Sequence, residues 1–285
     1  MLELFTLKIA IIADIHANAH ALEAVLTQID KEKVDKVIIN GDLVNRGPNS
    51  VKVMEMVWDK GYEIIMGNHD DLMCMWLDKS KDLPQEWFTD PFWTSVDWVV
   101  NQLAKNNWIE ILRNLPLDKH INYKNSPNIL VTHGSPRHYR EGYGMRLSDE
   151  VLTEIVIDYP ADVYIGSHTH KPMDKTFGKY RFLNTGAVGA PFNKDTRAQY
   201  LIAELKNKNW QFSFEKLEYD HSAALKAYKD SGYLEVGGLS AQIFYEELET
   251  ASPHLIRYDR WTIRNSLKHG FDTWEIYKKE HKDYF

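Results

Sequence analysis

The first apolar block of the chain, Leu7-Lys8-Ile9-Ala10-Ile11-Ile12-Ala13, is short, rich in β-branched residues and closed by Asp14. Such a block predicts a strand covered on both faces, because a half-exposed strand alternates polar and apolar positions. A helical period follows from about Ala19 to Lys31, then a second buried strand at Lys36-Val37-Ile38-Ile39-Asn40. A polar loop runs through Pro48, a helix from about Ser50 to Lys60, and a strand from Tyr62 to Met66. Strands alternating with helices through short connections predict a mostly parallel sheet flanked by helices. No stretch approaches the roughly 18 consecutive apolar residues of a membrane span. The first residues carry no basic leader followed by a cleavable apolar segment, so no membrane partner is expected.

A stretch to about Asn114 then breaks the alternation and carries Trp76, Trp87, Trp93, Trp98 and Trp108. It reads as a helical insertion, about 71–114, whose aromatics make a small core of their own. The sheet resumes at Asn128-Ile129-Leu130-Val131-Thr132 and at Asp162-Val163-Tyr164-Ile165. Between these, Ser148-Asp149-Glu150 places acceptors and negative charge at a helix start. Arg181 to Asn184, Gln199 to Leu205 and Trp210 to Leu217 read as strands of an antiparallel half, the last two joined by the polar turn Lys206-Asn207-Lys208-Asn209. Beyond Tyr219 the sequence is helix-forming and polar-faced. The expected division is a main domain over 1–219 and a helical accessory region over 220–285.

Composition narrows the class. The 285 residues are 44% apolar and 26% charged, an ordinary globular balance, and 34 Lys and Arg against 41 Asp and Glu leave a formal charge of −7. An acidic chain without a basic block lacks the electrostatic footprint of a nucleic-acid binder. The single cysteine, Cys74, permits no internal disulfide and fits a reducing cytoplasm.

The histidines carry more information. Polar ligand-type residues sit where predicted buried strands end, the position of the ligand crevice in open α/β sheets. The strand ends carry Asp14-Ile15-His16, Gly41-Asp42, Gly67-Asn68-His69-Asp70, His133-Gly134 and Gly166-Ser167-His168-Thr169-His170. Each alone admits a plain reading, as a helix cap, a buried imidazole or a solvated loop histidine. Five in succession make coincidence a poor explanation. Asp, His and Asn suit Mn, Fe, Zn or Ni, and the absence of thiolates argues against a closed structural zinc site. Residues two apart on extended backbone project to one side, so Asp14 with His16, and His168 with His170, can converge. A carboxylate such as Asp42 can bridge two cations, which at roughly 3.5–4 Å clamp a phosphoryl group.

These blocks resemble the pattern of the calcineurin-like metallophosphoesterases: Asp-x-His, Gly-Asp, Gly-Asn-His, His, and Gly-x-His-x-His, in that order, here from Asp14 to His170. The resemblance implies an α/β sandwich of two mixed β-sheets flanked by helices, with the insertion and the C-terminal helical region added to a catalytic domain. It implies two divalent or mixed-valence transition-metal ions, manganese first, then iron, ahead of zinc, nickel or cobalt. By position, Asp14, His16 and His170 are implied ligands of one metal, Asn68, His133 and His168 of the other, and Asp42 the bridge. His69 is implied to orient substrate and protonate the leaving oxygen, with Asp70 either holding its imidazole or serving as a helix-start acceptor. The implied reaction is hydrolysis of a phosphate ester or anhydride by a hydroxide held between the metals. The block Gly41-Asp42-Leu43-Val44-Asn45-Arg46-Gly47-Pro48 departs at Asn45 from the protein-phosphatase form; Arg46 either grips phosphate or is a loop charge.

Substrate is less determined. Bases stack on aromatic rings, and the tryptophan-rich insertion lies directly after Asn68, His69 and Asp70, where it can wall the crevice. The segment after His133 offers Arg137, Tyr143 and Arg146 as candidate polyphosphate contacts, beside Arg140 and Tyr139. Expected substrates are small phosphate esters and nucleotides, with ATP-like nucleotides and diadenosine polyphosphates leading. A phosphoprotein phosphatase and a non-catalytic scaffold of the same fold are the alternatives.

Overall fold

The computed structural model describes residues 6–144 and 147–285. In chain order the elements are β1 (Thr6–Ile12), α1 (Ala19–Lys31), β2 (Lys36–Asn40), α2 (Ser50–Val57), β3 (Glu63–Ile65), α3 (Asn68–Leu77), α4 (Thr94–Lys105) and α5 (Trp108–Arg113). There follow β4 (Asp118–Ile121), β5 (Ile129–Thr132), α6 (Asp149–Asp158), β6 (Val163–Gly166), β7 (Met173–Phe177), β8 (Tyr180–Asn184), β9 (Ala198–Lys206) and β10 (Asn209–Leu217). The chain closes with α7 (His221–Asp230), α8 (Tyr233–Thr250), α9 (His254–Arg264) and α10 (Phe271–Glu280).

Two five-stranded sheets result, ordered β10-β9-β1-β2-β3 and β4-β5-β6-β8-β7. β1, β2 and β3 are parallel, as are β5, β6 and β8, while β9, β10, β4 and β7 pair antiparallel. The expectation of an antiparallel half from Tyr180 onward therefore holds for the β9–β10 hairpin and in part for β8, which runs antiparallel to β7 but parallel to β6. β4 and β7 have no counterpart among the predicted strands. Both are edge strands of largely polar sequence, Asp118-Lys119-His120-Ile121 and Met173-Asp174-Lys175-Thr176-Phe177, and lack the continuous apolar signal of the buried strands.

Successive residues of β1 serve opposite faces, as strand geometry requires. Ile9 and Ile11 face the second sheet, joining Ile38, Ile65, Val131, Ile165 and Leu183 in the inter-sheet core. Ala10 and Ile12 face the helices, packing with Leu22, Val25, Val53 and Met54. On the outer face of the second sheet, Leu130, Tyr164 and Phe182 pack against Leu152 and Ile155 of α6. The insertion has no core of its own: Trp76 is buried, and Trp98 and Trp108 half-buried, in the cluster that holds Ile12 and Ile39. The C-terminal helices join the same cluster through Tyr228, Tyr233, Phe244 and Leu248. Ser95 of α4 and Ser240 of α8 meet at 2.6 Å, and Trp98 lies edge-on to Tyr233. Where α8 crosses the insertion its helix breaks at Gly238 (φ 63°, ψ −146°). Among the described residues, no helix is long and apolar enough to cross a membrane.

Candidate metal centre

The C-terminal ends of β1, β2, β3, β5 and β6 meet along one crevice between the sheets. Backbone bonds lock the loops together: Asp14 N–H donates to Gly41 O, His16 N–H to Asp42 O and Ser167 N–H to His133 O, at 3.1, 3.0 and 2.8 Å. Two glycines permit that closeness. A Cβ on Gly67 would stand 2.1 Å from Asp42 N, and one on Gly41 (φ 80°) 2.6 Å from His133 Nδ1.

Asp14, His16, Asp42, His168 and His170 have φ of 51°, 46°, 53°, 62° and 57°. Left-handed backbone at non-glycine residues costs on the order of 1–3 kcal/mol each and collects at functional sites. It also changes how the pairs converge. Asp14 with His16, and His168 with His170, are brought together by left-handed turns, not by the alternation of extended backbone.

The potential ligand atoms form two groups sharing Asp42. Asp14, His16, Asp42 and His170 hold theirs within 4.8 Å of one another, as do Asp42, His133 and His168. In the first, His16 Nε2 lies 3.2 Å from His170 Nε2 and 3.5 Å from Asp42 Oδ2, and His170 Nε2 lies 3.5 Å from Asp14 Oδ1. In the second, His133 Nε2 is 3.3 Å from Asp42 Oδ2, and Asn68 Oδ1 is 3.1 Å from His133 Nε2 and 2.7 Å from His168 Nδ1. Both Asp14 oxygens, Asp42 Oδ2 and His16 Nδ1 are buried without a hydrogen-bond partner. Unpaired buried carboxylate oxygens are costly unless they meet a cation, so the residues present fit divalent metal ions.

Protonation agrees with that fit. Burial is the main cause holding His16 and His170 well below the ordinary imidazole range, and it takes His168 down to about 4. Neutral imidazole is the ligating form. His133 is the exception: burial opposes its charge, but Asp42, Asp14 and the Asn40 carbonyl outweigh it and lift it to about 10. The pocket between the two carboxylates thus demands positive charge. His133 Nδ1 faces Asn40 O at 2.8 Å and His170 Nδ1 faces Ala190 O at 2.5 Å. Donation there turns each Nε2 inward, where on His133 a bound cation would replace the second proton.

Asp70 serves the backbone, not the His69 ring. It is fully buried and accepts from the amides of Asp42 (2.8 Å), Gly67 (2.9 Å), Leu43 (2.9 Å) and Val44 (3.3 Å). Burial and Asp42 push it up to about 7 against the pull of the Gly67 and Val44 amides. Asp70→Asn would turn an N–H toward these donors. An expected loss of about 2–4 kcal/mol, from unmade buried hydrogen bonds, is checked by urea denaturation.

His69 is held instead by Asn45, whose Nδ2 lies 2.9 Å from His69 Nδ1. Asn45 Oδ1 accepts from Arg46 N at 2.7 Å, which fixes the amide so that Nδ2 faces the ring. His69 Nδ1 then accepts and Nε2 carries the proton. Burial takes the ring down to about 3, so the neutral form is present near pH 7.

Arg46 is 6% exposed and ion-paired with Glu247 of α8, with its guanidinium 5.2 Å from the Phe192 ring centroid and 4.9 Å from that of Phe244. The Tyr228 hydroxyl donates to Arg46 O at 2.6 Å. Its charge is therefore met inside the protein, although it lines the cavity beside the metal groups. That cavity, about 350 Å³, is bounded by Asp42, Asn68, His69, Trp87, Trp93, Arg140, His168, Phe192, Phe244, Leu255 and Ile256, among others.

Of the polyphosphate candidates, Arg137 lies away from this cavity, paired with Glu141 and Glu154. Tyr143 is fully buried, edge-on to Phe182, and its carbonyl accepts from Asn184 at 3.0 Å; it supports the His168–His170 loop from behind. Arg146 lies outside the described residues. Among the described arginines of this segment, Arg140 lines the cavity, exposed and without an ion pair to a described residue.

A sequence profile of the calcineurin-like phosphoesterases matches residues 7–172. An uncharacterized protein of Methanocaldococcus jannaschii is 28% identical over 227 residues, covering 74% of this chain and 88% of its own. The symmetrical bis(5′-nucleosyl)-tetraphosphatase of Erwinia tasmaniensis is 29% identical over 106 residues, covering 35% of this chain and 39% of that enzyme. The match thus spans well under half of the tetraphosphatase's length. Among solved structures, a metallophosphoesterase from Sphaerobacter thermophilus superposes with a TM-score of 0.65 at 24% identity, covering 86% of this chain and 99% of that one. A hypothetical protein from Pyrococcus horikoshii superposes at 0.66 with 20% identity, covering 84% and 98%. At these identities the superpositions speak for the fold alone, an α/β sandwich of two mixed sheets. The chain belongs to the calcineurin-like phosphoesterase family. It is accordingly a hydrolase acting on phosphate esters.

Proposed function

We propose that the protein is a dinuclear metal-dependent phosphohydrolase that cleaves phosphodiesters and nucleotide phosphoanhydrides, ATP-like nucleotides and diadenosine polyphosphates first among them. The observation that carries this reading is the pair of ligand groups sharing Asp42. Asp14, His16 and His170 would hold one divalent ion, Asn68, His133 and His168 the other, and Asp42 would contribute to both, with manganese favoured over iron. Once bound, the two ions lower the pKa of a water and offset charge at phosphorus. The chain's residues do the rest. Asn45 fixes the His69 tautomer so that its Nε2–H points a donor at the leaving oxygen. With Arg46 committed to Glu247, Arg140 is a cation lining the cavity that can meet further phosphates. A cytoplasmic location suits the lone thiol, Cys74.

The test is turnover of bis(p-nitrophenyl) phosphate by the manganese-loaded chain. Metal-dependent release of nitrophenol is expected and should disappear in His133→Ala; full activity in that variant would sink the assignment. Asn45→Ala, which releases His69, is expected to lower kcat by roughly 10–100-fold, the usual cost of removing an orienting partner. Steady-state kinetics with unchanged metal content checks it, and an unaltered kcat would remove His69 orientation from the mechanism.

A further inference from the structure

The cavity beside the metal groups has two unlike sides. One is the ligand cluster, with His69 and Arg140. The other is apolar and, beside Phe192, draws on two segments outside the five sequence blocks: Trp87 and Trp93 from the insertion, and Phe244, Leu255 and Ile256 from the C-terminal helices. The two tryptophans lie ring against ring, centroids 4.4 Å apart at 32°, and both remain half-buried. Flat aromatic surface left open directly beside a phosphate-seeking centre is a stacking platform, because ring faces bind planar groups with little dependence on hydrogen-bond pattern. A volume of about 350 Å³ falls at the lower end of the roughly 300–1,000 Å³ usual for small-molecule sites. It suits one planar group with its sugar.

The C-terminal wall is tied to the crevice. Glu247 pairs with Arg46 through one carboxylate oxygen, and its other accepts from the Leu255 amide at 2.8 Å. One side chain thereby holds both the loop after Asp42 and the start of α9, where Leu255 and Ile256 stand. We propose that this cleft is the subsite for the nucleobase of the substrate, and that the C-terminal helices, by supplying one wall, are a specificity element of the site. The proposal rests on the phosphohydrolase reading and adds the seat of the organic group to it.

The test compares adenosine 5′-monophosphate with methyl phosphate on the manganese-loaded full-length protein, by isothermal titration calorimetry. The two share a phosphate and differ in the group that would enter the cleft. Adenosine monophosphate should bind at least roughly tenfold tighter, from stacking of one base. That margin should shrink about tenfold in Trp93→Ala, return in large part in Trp93→Phe, and shrink about twofold in Ile256→Ala, with circular dichroism confirming each fold. Equal binding of the two ligands by the natural protein, or a margin unchanged in Trp93→Ala, overturns the cleft assignment while leaving the metal centre intact. Failure of both ligands to bind overturns the phosphohydrolase reading and the subsite with it.

Discussion

Asp42→Asn is expected to lower kcat/KM toward bis(p-nitrophenyl) phosphate by more than about 10³-fold, and to reduce bound manganese from two ions per chain to one or none. Removing one preorganised electrostatic group from a catalytic site costs roughly 10²–10³-fold, and Asp42 belongs to both ligand groups. The asparagine is nearly isosteric and keeps an oxygen for the His69 amide, which donates to Asp42 Oδ1 at 2.7 Å. The loop therefore stays in place, and the charge is what is lost. Metal analysis alongside kinetics separates the outcomes. Two retained ions with full turnover would mean that Asp42 does not bridge.

The second large effect lies far from any sequence block. Glu247→Ala leaves the Arg46 guanidinium buried without its counter-charge, with side-chain exposures of 7% and 2% in the natural pair. Breaking a buried pair from one side costs about 3–5 kcal/mol, whereas exchanging both partners for apolar groups of similar volume is often neutral. Glu247→Ala is therefore expected to lower Tm by roughly 10 °C, and the double variant Arg46→Met with Glu247→Leu to recover more than half of that loss. Thermal denaturation checks both; a Tm unmoved by Glu247→Ala would contradict a buried pair. Cutting the chain after Tyr219 would be more severe. It removes Tyr228, Tyr233, Phe244 and Leu248 from the cluster containing Ile12 and Ile39. At about 3–5 kcal/mol for each large side chain, against a total stability of about 5–15 kcal/mol, the fragment is expected to be insoluble.

These two effects mark where the sequence is readable and where it is not. The buried strands are legible because their apolar blocks are continuous and each ends in a polar residue, and those polar strand ends by themselves point to the crevice. β4 and β7 are not legible, since an edge strand covered on one side needs few apolar residues. Spacing picks out the two site pairs, but the geometry uniting them is left-handed backbone at Asp14, His16, His168 and His170, which spacing does not encode. Asn45 reads as a departure from a family pattern; its role as the His69 partner depends on a ring brought in from α3, 24 residues away. Arg46 shows its charge but not the Glu247 that meets it, 201 residues on. Between Arg137 and Arg140 the sequence offers no reason to prefer Arg140, because which one reaches the cavity depends on how the loop after β5 folds. The insertion's tryptophans divide between core and cleft, Trp76 inward and Trp87 and Trp93 along the cavity, and no periodicity separates them.

The proposed dinuclear centre is tested most directly by anomalous diffraction from manganese-loaded crystals. Two peaks are expected roughly 3.5–4 Å apart, one among Asp14, His16 and His170, the other among Asn68, His133 and His168, with Asp42 between them. A single peak, or two that do not share Asp42, would contradict it.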